Sequence, residues 1–240
     1  MKKITLGILE TGLPPEEYRD EHGSYPEMFA GLLGEQDANI TFRFYAVLDA
    51  QLPSAANECD AWLITGSKFG VYEDHSWIAP LEDLVRSAYA QSIPVVGICF
   101  GHQLVAQALG GKVVKSDKGW SLGVAEYAVD CVEPWMQGAP AHFSIQAYHQ
   151  DQVVELPANT KVVASSDFCP YAALNFDNRA ITFQGHPEFD ASYTGKLLTN
   201  RRDLKLLPQQ QATEAIANIT QPLQREQVAQ WICGFLRSAH

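Results

Sequence analysis

At 240 residues, with 46% hydrophobic residues and a formal net charge of -11, the chain has apolar material for one generous core, and disorder is not expected. Acidic residues outnumber basic ones 28 to 17, which disfavours phosphate backbones and anionic lipid, so neither nucleic acid nor membrane is expected as a partner. Five cysteines, Cys59, Cys99, Cys131, Cys169 and Cys233, are odd in number, far apart and without a CxxC pair. That usage fits a reduced, cytoplasmic setting and gives a metal site no support.

The opening "MKKITLGILETG" has an apolar run too short for a signal-peptide core, and no stretch approaches the length of a membrane span. Strand candidates and helical stretches then alternate: "ITLGIL", "YPEMFAGLLG", "ITFRFYAV", "AWLITG", "WIAPLEDLVRSAYAQ" and "PVVGIC". Such alternation predicts a parallel sheet covered by helices. Leu81, Leu84, Val85 and Ala88 fall at helical spacing, so that helix buries one face.

After Gly111 the texture turns to strands: "KVVKS", "GVAEYAVD", "HFSIQAYH", "KVVASS", "AALNF" and "AITFQGH". Their connections are too short for crossover helices, which predicts an antiparallel extension or a meander returning to the sheet. From about residue 190 a tail of two or three helices is expected, broken at Pro208 and Pro222. With no repeat, linker or low-complexity tract, one domain over residues 1–240 is the expectation.

Chemistry concentrates where "PVVGIC" meets "HQLVAQALGG". Gly97-Ile98-Cys99-Phe100-Gly101 has the spacing of a nucleophile elbow, a sharp strand-to-helix turn that exposes the central side chain and needs small residues two positions away on either side. The following helix, expected to end at Gly110 or Gly111, would favour a thiolate at Cys99 through its N-terminal amides and dipole. The amide of Phe100 is the natural oxyanion donor. A buried cysteine is more often a small hydrophobe, so a second constellation is needed.

"AITFQGHPEF" supplies it. Pro187 disfavours helix for the residue before it, so His186 and Glu188 are expected in extended backbone, facing the same side, with the carboxylate orienting the imidazole. A histidine held in this way can take a thiol's proton and return it to a leaving amine.

"GICFGHQ" and "GHPE" together resemble the nucleophile and histidine–glutamate motifs of the class I glutamine amidotransferases, over residues 4 to 190. The resemblance implies an α/β three-layer sandwich of flavodoxin-like type, with a mostly parallel central sheet and a small antiparallel extension. It implies that Cys99 attacks the carboxamide of glutamine, that His186 is base and acid, and that Glu188 orients His186. A γ-glutamyl thioester forms, ammonia leaves, and water releases glutamate, with no cofactor. "LITGS" is similar to the family loop that supplies a second oxyanion amide, from Gly66 or Ser67, although Lys68 departs from the usual small residue and proline. Gln103 matches the position that contacts substrate glutamine, and His102 is taken as structural. "AYHQDQVVELP" resembles a family loop that places His149 and Asp151 near the cysteine, grouped with Gln103 on the substrate side and given no chemical step. The other histidines, His22, His75, His142 and His240, are expected at the surface or as caps.

No P-loop is present, so the expected enzyme works alone or with a separate synthetase partner. "ETGLPPEEYRDEHGSYPEMFAGLL" and "TGSKFGVYEDHSWIAPLEDLVR" resemble the free-standing, GMP-synthase-like members, whose relatives include γ-glutamyl peptidases. The substrate is therefore glutamine or a γ-glutamyl peptide of glutathione type. Residues 12 to 28 and 67 to 78 are the expected walls of a leaving-group pocket, with Tyr18, Tyr25, Phe69, Tyr72 and Trp77 as wall or anchor aromatics. Two readings of another class stand beside these. A cysteine-elbow stress protein of the DJ-1 type commonly has histidine directly after the cysteine, where Phe100 stands here, and a non-catalytic partner-binding member commonly lacks one triad residue.

Overall fold

The computed structural model describes residues 2–239. In chain order, β1 (Ile4–Glu10) leads through α1 (Glu16–His22) and α2 (Tyr25–Gln36) to β2 (Ile40–Ala46), β3 (Ala61–Ile64), α3 (Ile78–Ala90), β4 (Val95–Ile98) and α4 (Phe100–Ala108). The strand-rich half holds β5 (Lys112–Lys115), β6 (Ser121–Val129), β7 (His142–His149), β8 (Asp151–Glu155), β9 (Thr160–Ser165), β10 (Ala173–Phe176) and β11 (Ala180–Phe183). Then come α5 (Ala191–Asp203), α6 (Gln209–Ala217) and α7 (Arg225–Ser238).

Nine strands form one sheet in the order β2-β1-β3-β4-β11-β10-β9-β6-β7. The first five are mutually parallel and the rest antiparallel, while β5 and β8 pair in a separate ribbon. The parallel half with its antiparallel extension is the α/β architecture read from the alternating elements.

Val95, Val96 and Ile98 in β4 are all buried, as befits a parallel strand covered on both faces. One face packs Leu6, Ile8 and Val96 against Phe29 and Leu33 of α2 and Trp231 and Phe235 of α7. The other packs Leu9, Ile64 and Val95 against Val85 of α3 and Leu104 and Val105 of α4. On α3, Leu81, Val85 and Ala88 are buried and Leu84 partly so, the face its spacing predicts. Ser24 and Glu27 form a capping box that starts α2, so this helix is fixed by local chemistry as well as by packing.

Two elements depart from expectation. Helix α1, "EEYRDEH", buries none of its residues, so it has no apolar stripe by which to be recognised. Its acidic first turn and its last-turn Arg19 and His22 complement the helix dipole. The segment from Asp151, expected as loop, is strand β8, because "KVVK" of β5 offers it an antiparallel partner. Helix α4 stops at Ala108, and Gly110 turns the chain with φ 98°. Pro208 caps α6 and Pro222 falls between α6 and α7, the two expected breaks. Among the described residues no helix is long and apolar enough to cross a membrane.

Candidate active site

Cys99 is the hinge between β4 and α4 and has φ 53° and ψ -101°, a conformation L-residues rarely adopt. Holding a non-glycine residue there costs about 1–3 kcal/mol, strain of the kind that clusters at functional positions. A methyl group on Gly97 would lie 2.4 Å from the Gly101 carbonyl oxygen, and one on Gly101 would lie 2.4 Å from the Ile64 carbonyl oxygen. Both glycines are thus required by contact, since the turn folds onto its own first helical residues and onto β3. The Cys99 amide donates to the Phe183 carbonyl at 2.9 Å, tying the elbow to β11, the strand that leads to His186.

His186 itself is extended, as expected, in an antiparallel bridge to Gln146, but the extension does not continue to Glu188. The His186 amide donates to the Gln146 carbonyl at 2.7 Å, and the chain then turns through Pro187 and Glu188, with the Phe189 amide 3.4 Å from the His186 carbonyl oxygen. Proline's fixed φ suits the second position of such a turn, and this is the preference that overrides extension. The turn sets His186 Nδ1 2.8 Å from Glu188 Oε1 and lays the Phe189 ring on the imidazole, with centroids 4.1 Å apart and planes 5° from parallel. Phe189 is wedged in turn by Tyr25 and Tyr193, whose hydroxyls are 3.1 Å apart.

His186 is 4% exposed and Glu188 3%. Burial opposes charge on His186, but the Glu188 carboxylate and the Cys99 sulfur beside it outweigh that and raise its pKa. Its other nitrogen, Nε2, makes no hydrogen bond among the described residues and stands free to exchange a proton. Gly66 at the end of β3 fits between the two side chains, since a methyl group there would lie 2.8 Å from His186 Cε1 and 3.6 Å from Cys99 Cβ. The expected oxyanion loop, Gly66 and Ser67, therefore borders both Cys99 and His186. Phe100 opens α4, so its amide is among the helix's unpaired N-terminal donors.

Gln103 is buried on α4 and donates to the Asp151 carbonyl at 3.0 Å and to Gln184 Oε1 at 3.1 Å. His149 ends β7, with Nδ1 3.2 Å from the Asp151 carbonyl oxygen, and burial pushes its pKa down to about 4. Burial likewise raises the Asp151 carboxyl, offset in part by the Tyr72 hydroxyl. His102 is buried with Nδ1 2.8 Å from Thr182 Oγ1, and desolvation lowers its pKa to about 3, so it is a neutral packing residue. Of the remaining histidines, His142 is exposed, whereas His22 packs edge-on against Tyr193, and His75 is stacked between Phe69 and Trp77. His22 is thus a ring-packing residue, whereas His75, although packed on these rings, remains partly exposed beside Glu73. His240 lies outside the described residues.

A cavity of about 480 Å³ opens over Cys99, Gln103 and His186. From the two expected wall segments, Leu13, Tyr25, Phe69 and Tyr72 reach it, whereas Tyr18 and Trp77 pack elsewhere as anchors against Tyr193 and Phe100. The opposite wall, Lys115, Trp120, Tyr148, Arg201 and Leu206, was not read from the sequence. Phe189 was missed as well, although its place after "HPE" was the available signal. Among the described residues no cluster of His, Cys, Asp and Glu could hold a metal ion, and all five cysteines are free.

The chain is similar to known proteins in sequence and in fold. The family model of glutamine amidotransferase class-I matches residues 19–204. Gamma-glutamyl peptidase 4 of Arabidopsis thaliana is 31% identical over 191 residues, 76% of this chain and 75% of that protein. A glutamine-hydrolyzing GMP synthase of Aquifex aeolicus is 35% identical over 135 residues, 56% of this chain and 25% of that protein. A glutamine amidotransferase structure from Thermotoga maritima, 16% identical, has the same fold, with a TM-score of 0.76 over 98% of this chain and 99% of that one.

Proposed function

The chain belongs to the class-I glutamine amidotransferases, and from that premise we propose that it hydrolyses γ-glutamyl amide bonds through a thioester on Cys99. The observation that carries this reading is a cysteine at a positive-φ elbow beside a buried histidine that a carboxylate holds at 2.8 Å, both bordering one cavity.

Cys99 and His186 meet the substrate as a thiolate–imidazolium pair, the thiol proton having already passed to His186 Nε2, and the sulfur attacks the γ-carbonyl carbon. The oxyanion that forms is held by the amide of Phe100 and by that of Gly66 or Ser67. When the carbon–nitrogen bond breaks, His186 returns the proton to the leaving amine, and Cys99 keeps the γ-glutamyl group as a thioester. Water then attacks with His186 again as base, the carbon–sulfur bond breaks, and glutamate leaves as the thiolate–imidazolium pair is restored. Glu188 holds the tautomer and plane of His186 throughout. Gln103, His149 and Asp151 border the same cavity.

The leaving group is a peptide in the reading favoured here. The peptidase relative matches over three quarters of both chains. A second reading, in which glutamine is cleaved and its ammonia passes to a separate synthetase, draws support from the GMP synthase relatives. Five free cysteines support a reducing, cytoplasmic setting.

Glutamate release from glutathione and from glutamine, measured side by side with Cys99→Ala as blank, tests the proposal. The expected result is release from glutathione exceeding that from glutamine, with a loss on the order of 10⁴-fold or more in the variant. Silence on both substrates, or release that survives Cys99→Ala, would refute it.

A further inference from the structure

We propose that Arg201, assisted by Lys115, forms a leaving-group subsite that binds the terminal carboxylate of a γ-glutamyl peptide, an inference that rests on the hydrolase reading above. The protein carries a net charge of -11, yet Lys68, Lys115 and Arg201 all border the cavity that holds Cys99. The other arginines are engaged. Arg43, Arg86, Arg179, Arg202 and Arg237 pair with carboxylates, while Arg19 and Arg225 donate to backbone carbonyls. Arg201 and Lys115 have no ion-pair partner among the described residues, although Asp151 lies close enough to Lys115 to be influenced by it.

A cation in the last turn of α5 would be explained by the helix dipole alone, but that account covers Arg202 equally well. Arg202 pairs with Asp203, whereas Arg201 faces the cavity beside the Tyr148 hydroxyl. Tyr148 packs on Trp120 with ring centroids 5.4 Å apart, so a guanidinium held by the Tyr148 hydroxyl but by no carboxylate stands at the edge of an aromatic wall. A planar fork of N–H donors in that setting suits a carboxylate bound through two parallel hydrogen bonds. Ammonia has no carboxylate for this group to hold. A peptide such as γ-glutamyl-cysteinyl-glycine carries one at the far end of its leaving group, about two residue lengths, or ~7 Å, beyond the scissile bond.

The test compares kcat/KM for glutathione with that for its glycine ethyl ester, which removes only the terminal charge, and adds γ-glutamyl p-nitroanilide as a substrate with an uncharged leaving group. Wild type should prefer acid over ester by about 10–100-fold, the range of a charge-assisted hydrogen bond. In Arg201→Met the acid-to-ester ratio should collapse towards one, in Lys115→Met it should fall partway, and Arg201→Lys should retain part of the preference. Because each ratio is taken within a single variant, a smaller folded fraction cancels. An unchanged ratio in Arg201→Met, or no preference in wild type, would overturn the subsite while Cys99-dependent cleavage of the anilide left the hydrolase reading standing. Equal losses on acid, ester and anilide would reassign Arg201 to the glutamyl carboxylate and overturn the proposal. Absence of Cys99-dependent cleavage of all three would overturn both readings.

Discussion

His186 keeps its proton against burial because Glu188 accepts from Nδ1 at 2.8 Å and the Cys99 sulfur lies alongside. A histidine whose pKa is raised by folding stabilises the fold below its ordinary value of about 6.5, and that contribution is lost as the pH climbs through the raised value, here about 10. Glu188→Gln removes the larger cause of the rise and leaves that of the Cys99 sulfur. It should cost about 3–5 kcal/mol of stability near pH 6, with the gap to wild type narrowing towards alkaline pH in urea titrations. A gap that widened with pH would mean the pair is not ionic. Turnover should fall on the order of 10²–10⁴-fold, less than in Cys99→Ala, because Glu188 orients and does not react. His186 and Glu188 were legible because they are two positions apart in one tripeptide. Phe189 was not, because its stacking follows from the turn at Pro187, where the sequence reading had extended chain. Arg201 lies on a helix remote from Cys99 in sequence, and no local pattern distinguishes it from Arg202.

At the scale of elements, the elbow was legible for a steric reason. Glycines at positions 97 and 101 bracket Cys99, and both places turn out to be too close to backbone for a methyl group. This gives a prediction that opposes helix propensity. Gly101 lies in the first turn of α4, where alanine would ordinarily gain about 1 kcal/mol over glycine. Gly101→Ala should instead destabilise by about 1–3 kcal/mol, because the atom it meets is the Ile64 carbonyl oxygen of β3, which cannot rotate away. Urea unfolding midpoints decide the matter, and a stabilised variant would show that α4 can slide. The same reasoning explains what was missed among the elements. Helix α1 has no buried residue to leave a periodic trace, and β8 is a strand only because β5 is beside it.

For the whole molecule, the parallel half was legible from alternation, but the strand order was not. Nothing local says that β11, which begins more than 80 residues after β4 ends, slots beside β4 with Phe183 opposite Ile98. That insertion is what brings His186 next to Cys99. The helical tail is integral in the same sense. The family match ends at residue 204, yet α7 beyond it buries Val228, Ala229, Trp231, Ile232, Cys233, Phe235 and Leu236. These side chains share a core with α2 and β1, and the Trp231 ring meets Phe143 of β7 edge-on at 5.2 Å. Trp231→Ala should therefore cost about 3–5 kcal/mol, with Trp231→Phe milder because most of the volume remains. Truncation after Thr220 exposes the apolar face of α2 and of the sheet, and should abolish the cooperative urea transition and the cleavage activity together. A truncated chain that unfolded with the wild-type midpoint would make α7 an appendage. Its loss would then leave the Cys99–His186 geometry intact, since neither residue lies on α7 and only Arg225, at its start, reaches the turn that carries Glu188.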